Sequence, residues 1–272
     1  MITERASGFA LTRPASVQDG SILPISVAAP VTCPEAEGEW LDRDIRILPA
    51  HGTYQALLPV PLGGAANLSL VVRCGRRAAR FRIPVHEGTY PDSKLSVDSK
   101  FSRPPPPRAA VEQQAISRAY ASGSREPLWH EAFLRPTAGE ESSPYGVRRM
   151  FNNQIQSRHY GLDYEGNVGD PILAANDGVV VLAGPDYFWT GNCVFVDHGN
   201  GLFTVYFHMS KLQVKTGDRV KRGQLLGLIG ATGRVTGPHL HFGVKLLGQY
   251  VSPNDLLHLP ASAVEPAVSA AR

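Results

Sequence analysis

The stretch TGDRVKRGQLLGLIGATGRVTGPHLHF, residues 216–242, decides how the last part of this chain folds. Its apolar residues come in short runs, and glycine separates those runs. Short apolar runs bounded by glycine are typical of β-strands joined by tight turns. The stretch ends in HLHF, where polar and apolar residues alternate as they do along a half-buried strand. We therefore predict a β domain around these residues.

The flanking sequence has the same character from residue 143 to residue 257. The segments DGVVVLAG, CVFVDHG and LFTVYFHM resemble strands, and Asp197-His198-Gly199-Asn200-Gly201 predicts a tight hairpin between two of them. The periodicity of a long helix is not found here. Residues 143–257 are therefore predicted to form one antiparallel β domain.

Residues 1–92 are also rich in predicted strands. Segments such as LPISVAAP, YQALLPVPL and NLSLVVRC favour a small immunoglobulin-like β-sandwich. One of these stretches carries five arginines, and they predict either a solvated hairpin face or a contact with an anionic polymer. These residues are Arg73, Arg76, Arg77, Arg80 and Arg82.

A linker, residues 93–142, separates the two predicted domains. It contains Pro104-Pro105-Pro106-Pro107, which predicts a stiff extended spacer. A single helix is predicted at about 108–122, with Val111, Ile116 and Ala119 near one face. Residues 258–272 are predicted to be a disordered tail. The fold class is thus all-β, with one short helix in the linker.

Composition excludes several classes of protein. The chain has 272 residues and 27 basic against 24 acidic side chains, a net charge of +3. That excess is small for a nucleic-acid binder, so no nucleic-acid partner is expected. No apolar run approaches about 18 residues, which predicts no transmembrane segment. Cys33 and Cys74 are either a disulfide formed in an oxidising compartment or two buried thiols.

The histidines are concentrated in the last predicted domain. His239 and His241 face one way if HLHF is extended, because side chains at i and i+2 of a strand share a face. Asp163 follows His159 closely, and a bend near Gly161 would bring both to one point. Two imidazoles and one carboxylate match a catalytic zinc site, which uses three protein ligands. The alternative is that these histidines are ordinary packed or surface residues.

The motifs of residues 143–256 resemble the lysostaphin-type, LytM-like zinc metalloendopeptidases. The matching segments are SPYGVRR, His159-x-x-x-Asp163, GDPILAANDGVVVLAG, VFVDHGNG, YFHM and residues 216–242. The resemblance implies a β domain of the LytM barrel-sandwich hybrid type. It also implies that His159, Asp163 and His241 ligate one zinc ion per chain, while His208 and His239 are the catalytic pair that does not bind the metal.

The same resemblance implies hydrolysis of peptidoglycan peptides. The zinc ion would activate water, and His208 and His239 would handle the proton and the developing oxyanion. Such a substrate implies a periplasmic or cell-envelope protein. The first residues, MITERASGFA, lack a signal segment, so we expect that one has been removed. We also expect the N-terminal domain to hold the enzyme on the wall or to cover its groove.

Three aromatic residues are candidates for substrate binding. Tyr206 shares a face with His208, so it either lines the groove or packs inside the domain. Tyr187 and Trp189 belong to residues 185–191, called here the aromatic turn. Exposed loop aromatics often form the wall of a groove for a chain-like substrate, although they also pack back on the sheet. His198 is predicted to be structural.

Three other functions fit parts of the sequence. A LytM-like regulator would activate other wall hydrolases without catalysis, but the ligand set is complete here. A biotinyl or lipoyl carrier shares the segments GDPILAANDGVV and VKTGDRVKRGQLLGLIG, yet it needs a lysine in an exposed turn, usually beside methionine. A wall-binding module would not need five convergent His and Asp residues.

Overall fold

The computed structural model describes residues 1–30, 33–50, 52–94, 107–151 and 154–260. They form two compact units, Met1–Thr89 with Leu259 and Pro260, and Tyr90–His258. The proline spacer before Pro107 and the tail after Pro260 lie outside the described residues. The domain boundaries predicted at residues 92, 142 and 257 stay predictions. Among the described helices, none has the length and apolarity needed to cross a bilayer.

The first unit consists of nine strands in two antiparallel sheets. One sheet has the order β1-β2-β3-β7-β6 and the other β5-β4-β8-β9. The strands are β1 Ile2–Ala6, β2 Phe9–Arg13, β3 Ile22–Ala28, β4 Glu37–Trp40, β5 Arg43–Arg46, β6 Leu48–Ala50, β7 Thr53–Pro59, β8 Asn67–Cys74 and β9 Arg77–Pro84. This confirms the predicted β character, and the immunoglobulin-like detail stays a prediction.

A hydrogen bond between the sheets and a disulfide from a loop to β8 reinforce the first unit. The buried Trp40 on β4 donates its indole N–H to the carbonyl of Pro59 on β7, at 2.8 Å. Cys33 and Cys74 form a disulfide, which decides between the two alternatives left by the sequence. Cross-links of this kind restrict the unfolded chain and so stabilise the fold.

The arginine-rich hairpin of β8 and β9 has a solvated outer face. Arg80 and Arg82 are exposed, and they donate to Ser69 and Asn67 at 2.8 Å. Arg73 pairs with Glu39. The alternation of exposed and buried residues along β9 explains this placement, because side chains of a strand alternate between faces. Contact with an anionic polymer stays a prediction.

The second unit contains the remaining elements. The helices are α1 Pro107–Ala121 and α2 Pro253–His258. The strands are β10 Asp92–Lys94, β11 Glu141–Ser143, β12 Arg148–Phe151, β13 Gln154–Arg158, β14 Leu162–Glu165, β15 Pro171–Leu173, β16 Gly178–Tyr187, β17 Gly191–Asp197, β18 Leu202–Leu212, β19 Arg219–Val220, β20 Leu225–Ile229, β21 His239–Leu246 and β22 Gln249–Val251.

Most of these strands belong to one large antiparallel sheet. Its main order is β11-β14-β21-β18-β17-β16-β19, and β15, β20 and β22 pair at its sides. A smaller sheet has the order β10-β12-β13, in which β10 and β12 run parallel. The neighbours β14, β21 and β18 carry Asp163, His241 and His208. This order brings together residues that are far apart in the sequence.

The helix α1 matches the predicted helix to within one residue at each end. It packs on the second unit, where Ile116 and Tyr120 lie against the buried cluster of Cys193, Phe195 and Val205. The predicted buried face was wrong at Val111, which is 62% exposed. The buried residues of the helix are Ala109 and Ala119.

His198 is a structural histidine, as its place in the predicted hairpin suggested. Its side chain is fully buried, and Nδ1–H donates to the carbonyl of Asp177 at 2.7 Å. Nε2 lies 2.8 Å from the hydroxyl of Thr204. Burial lowers the pKa of the His198 imidazole to about 4, so it is neutral near neutral pH.

This neutral histidine predicts a loss of stability in acid. Because the folded-state pKa is about 4 and the unfolded value 6.5, the contribution is complete above pH 6.5 and is lost as the pH falls toward 4. Its size is on the order of 3 kcal/mol. Urea unfolding at several pH values should show a flatter pH dependence for His198→Gln than for wild type. Equal slopes over this range would contradict the assignment.

Candidate metal centre and active site

Strand register places two of the predicted metal ligands side by side. In the antiparallel pair of β14 and β21, Asp163 lies directly opposite His241. Their side chains meet, with Asp163 Oδ1 2.9 Å from His241 Nδ1. Leu240, between His239 and His241, is fully buried, so the two histidines share the other face of the strand.

His159 reaches the same point from the residues before β14. Its Nε2 lies 3.0 Å from Asp163 Oδ1 and 3.0 Å from His241 Nδ1. Its other ring nitrogen, Nδ1, donates to the carbonyl of Pro144 at 2.9 Å. That bond orients the ring so that Nε2 faces Asp163 and His241.

The three ligand atoms fit one small cation. They are one carboxylate oxygen and two imidazole nitrogens, and all three lie within 4.8 Å of one another. Tetrahedral ligands at the usual distance from zinc are about 3.3 Å apart, close to the separations found here. Burial alone would raise the pKa of Asp163, but the hydrogen bonds with His159 and His241 outweigh it and hold that pKa well below its usual range. The carboxylate is therefore charged.

His208 is turned toward this cluster by an irregularity in β18. The pairing of β17 with β18 shifts near Asn192, and His208 adopts a left-handed backbone conformation with φ of 65°. Such bulges re-aim a side chain, and strained residues of this kind are found at functional sites. Backbone N–H of His208 donates to the carbonyl of Thr190, and Nδ1–H donates to that of Thr232, both at 2.9 Å.

The two remaining histidines face each other beside the ligand cluster. The rings of His208 and His239 have centroids 4.8 Å apart. His239 donates from Nδ1 to the carbonyl of Gly237 at 2.9 Å, and its Nε2 lies 3.9 Å from Asp163 Oδ1. Burial, with the nearby His241 and His239, lowers the pKa of His208 to about 3. His208 is therefore neutral near neutral pH, with its Nδ1 proton in the bond to Thr232.

Several groups that shape the site were not predicted from the sequence. Phe207 stacks on the His241 ring, with centroids 5.1 Å apart and planes 8° from parallel. The carbonyls of Pro144, Thr190 and Thr232 orient His159 and His208. Backbone carbonyls belong to every residue type, so sequence gives no signal for them.

The three aromatic candidates have different environments. Tyr206 is fully buried, and its hydroxyl accepts from the N–H of Ala175 at 2.9 Å, which is the packed alternative. Tyr187 packs back on the sheet beside Cys193 and Phe195. Trp189 is half-buried and lies under the guanidinium of Arg234, at 5.3 Å. Tyr187 and Trp189 are thus both half-buried, and Tyr206 is the one fully buried candidate of the three.

The region that carries this site matches a known family. Residues 157–253 match the model of peptidase family M23. These residues therefore form a peptidase family M23 domain. The M23 domain contains all five of the residues His159, Asp163, His208, His239 and His241.

Similar proteins include named cell-wall enzymes. Peptidoglycan DD-endopeptidase ShyC of Vibrio cholerae is 44% identical over 130 residues, which are 46% of this chain and 30% of ShyC. DD-carboxypeptidase/endopeptidase Mpg of Neisseria meningitidis is 39% identical over 112 residues, 41% of this chain and 26% of Mpg. The match thus spans less than a third of either relative.

One solved structure is similar over most of this chain. It is a crystal structure from Pseudomonas aeruginosa assigned to peptidase M23, with 29% identity and a TM-score of 0.69. The match covers 90% of this chain and 96% of that one. The similarity therefore extends well beyond the M23 domain itself.

Gly161 allows His159 and His241 to approach, and its substitution tests the geometry of the M23 site. A Cβ at this position would lie 2.5 Å from the His241 ring and 2.7 Å from the Phe242 carbonyl oxygen, so Gly161→Ala must displace β21 around His241. We expect metal affinity to fall about 10- to 100-fold. Calorimetric titration with zinc measures this loss of affinity.

Gly237→Ala is the matched control for this measurement. A Cβ there would meet no atom within 4 Å, although the residue belongs to the same site. Its affinity for zinc should stay close to that of wild type. Equal affinities for Gly161→Ala and wild type would show that the His241 ring need not lie where the structure has it.

Proposed function

We propose that this chain is a zinc-dependent endopeptidase that hydrolyses peptide bonds in the stem peptides or crossbridges of bacterial peptidoglycan. The observation that carries the proposal is the convergence of His159, Asp163 and His241, with His208 and His239 facing them. Family membership and the names of the relatives support the substrate class. A complete set of five functional residues argues against a regulator without catalytic activity.

The proposed metal ligands are His159 Nε2, Asp163 Oδ1 and His241 Nδ1. This mixed nitrogen and oxygen set is one that zinc favours. Zinc bound here supplies a Lewis acid and an activated water for amide hydrolysis. Asp163 is charged, the bond from His159 to the Pro144 carbonyl orients the His159 ring, and Phe207 holds the plane of His241.

The proposed proton chemistry belongs to His208 and His239. Each ring donates from Nδ1 to a backbone carbonyl, so each turns Nε2 toward the cluster. One Nε2 takes a proton from the attacking water and passes it to the leaving amine. The other, protonated on both ring nitrogens, donates from Nε2–H to the oxyanion of the tetrahedral intermediate.

The proposed location is the periplasm or cell envelope. Peptidoglycan lies outside the cytoplasm, and the Cys33–Cys74 disulfide is typical of an oxidising compartment. Both observations agree with the names of the relatives.

Digestion of purified peptidoglycan tests the reaction. We expect soluble peptides to be released by the metal-loaded chain, and none after treatment with a chelator. Mass spectrometry of the products identifies the bond that is cut. Activity that survives complete removal of the metal would refute the zinc mechanism.

Two histidine variants test the assigned roles. Because His241 is a proposed ligand, His241→Ala should lose both bound zinc and activity. His239→Ala should lose turnover and keep zinc, since its ring is outside the proposed ligand set. Metal analysis of both purified variants measures the bound zinc. Equal loss of zinc in the two variants would show that the role assigned to His239 is wrong.

We also propose that the first unit regulates access to the site or targets it to the wall. Covering predicts that residues 90–258 alone, which comprise the second compact unit, digest soluble peptide fragments faster than the full chain. Targeting predicts equal rates on soluble fragments and a lower rate on intact wall. Equal rates on both substrates would exclude both roles.

A further inference from the structure

The helix α1 lies in the predicted linker, and polar contacts join it to the aromatic turn. The carboxylate of Glu112 accepts from the backbone N–H of Phe188 at 2.8 Å. The Glu112 side chain is only 14% exposed. One turn earlier, Arg108 pairs with Asp186 at 3.1 Å and lies 3.7 Å from Glu112. A charged acceptor on a backbone N–H gives one of the stronger hydrogen bonds in a protein.

The turn that Glu112 holds is itself unusual. Asp186 has a φ of 52°, in the left-handed region, and its N–H donates to the side chain of Asn192 at 2.9 Å. Gly191 closes the turn, and a Cβ there would lie 2.2 Å from Thr232. A strained turn keeps its shape only when its surroundings fix it.

The same turn supports the proposed catalytic histidine. The carbonyl of Thr190 accepts from the backbone N–H of His208, and the carbonyl of Thr232 accepts from its ring. Asn192 N–H in turn donates to Thr232 Oγ1 at 2.9 Å. Trp189 also takes part, because its carbonyl accepts from the N–H of Arg234 at 3.1 Å. Movement of the turn would therefore move both carbonyls that orient His208.

The other end of α1 approaches the opposite flank of the site. The hydroxyls of Tyr120 and Tyr250 lie 3.2 Å apart, and Lys245 lies over the Tyr120 ring at 3.9 Å. Tyr250 contacts the ring of Tyr160, which is the residue after the proposed ligand His159. The helix thus spans from the aromatic turn to the neighbourhood of the metal ligands.

We propose that Glu112 is a positioning residue, which holds the aromatic turn through Phe188 and thereby fixes the orientation of His208. This inference rests on the proposed function, because the consequence of the orientation is catalytic. Glu112 does not contact the proposed metal ligands His159, Asp163 and His241. It should therefore affect turnover and leave zinc binding unchanged.

Three readouts on the full chain test the proposal. The first is kcat and KM on soluble peptidoglycan fragments, together with zinc content. The second is hydrogen exchange of the His208 amide, which donates to Thr190. The third is acrylamide quenching of tryptophan fluorescence. Because Trp40 and Trp129 are at most 4% exposed, added quenching reports on Trp189.

Glu112→Ala should lower kcat about tenfold or more, because small misplacements of a catalytic group are costly. The His208 amide should exchange at least about tenfold faster, and Trp189 should be quenched more strongly. Glu112→Gln keeps an acceptor oxygen and should stay within about twofold of wild type in kcat. If Glu112→Ala does not fold, Glu112→Asp keeps the charge, shortens the reach and should give the same changes. Gln114→Ala, exposed on the same helix, is the control and should change nothing.

Several results would overturn the proposal. One is a kcat and an amide exchange rate in Glu112→Ala equal to those of Gln114→Ala. Another is a Gln variant as impaired as the Ala variant, since the charge rather than the bond to Phe188 would then matter. If wild type hydrolyses no peptidoglycan, the proposed function fails, and amide exchange with quenching still decides whether Glu112 holds the turn.

Discussion

The second unit depends on the register between β14 and β21. That register places Asp163 opposite His241, and it does so only because both strands present the correct face. A slip of one residue would turn every side chain of a strand to the other side. The buried neighbours Leu162, Leu240 and Phe242 oppose such a slip, since it would carry apolar residues toward the polar site. The hydrophobic core therefore enforces the geometry of the candidate metal centre.

The histidines outside the ligand set depend on loops and on one strained position. His208 has a left-handed backbone conformation that residues other than glycine rarely adopt. Contacts from Thr190 and Thr232 hold it there, and α1 holds the turn that contains Thr190. Ordinary hydrogen bonds from the surrounding structure thus hold His208 in this strained backbone conformation. The helix α1, which lies in the predicted linker, thus helps to hold the candidate site of the second unit in place.

The two units use different means of stabilisation. The first has two sheets joined by a tryptophan hydrogen bond, and a disulfide ties the loop after β3 to the end of β8. The second has a large antiparallel sheet with a buried polar network around His198, Thr204 and Asp177. A buried network is stable only when its members have partners, and both ring nitrogens of His198 do.

The sequence by itself determined the strands of both units, the short helix and the spacing of His239 and His241, because local periodicity controls these features. It also predicted which five residues would meet, through the resemblance of its motifs. Only the tertiary structure decided the burial of Tyr206, the exposure of Val111, the bulge at His208 and the role of backbone carbonyls. These features arise from contacts between segments distant in the chain. A carbonyl that orients an imidazole leaves no mark in the sequence, because every residue has one.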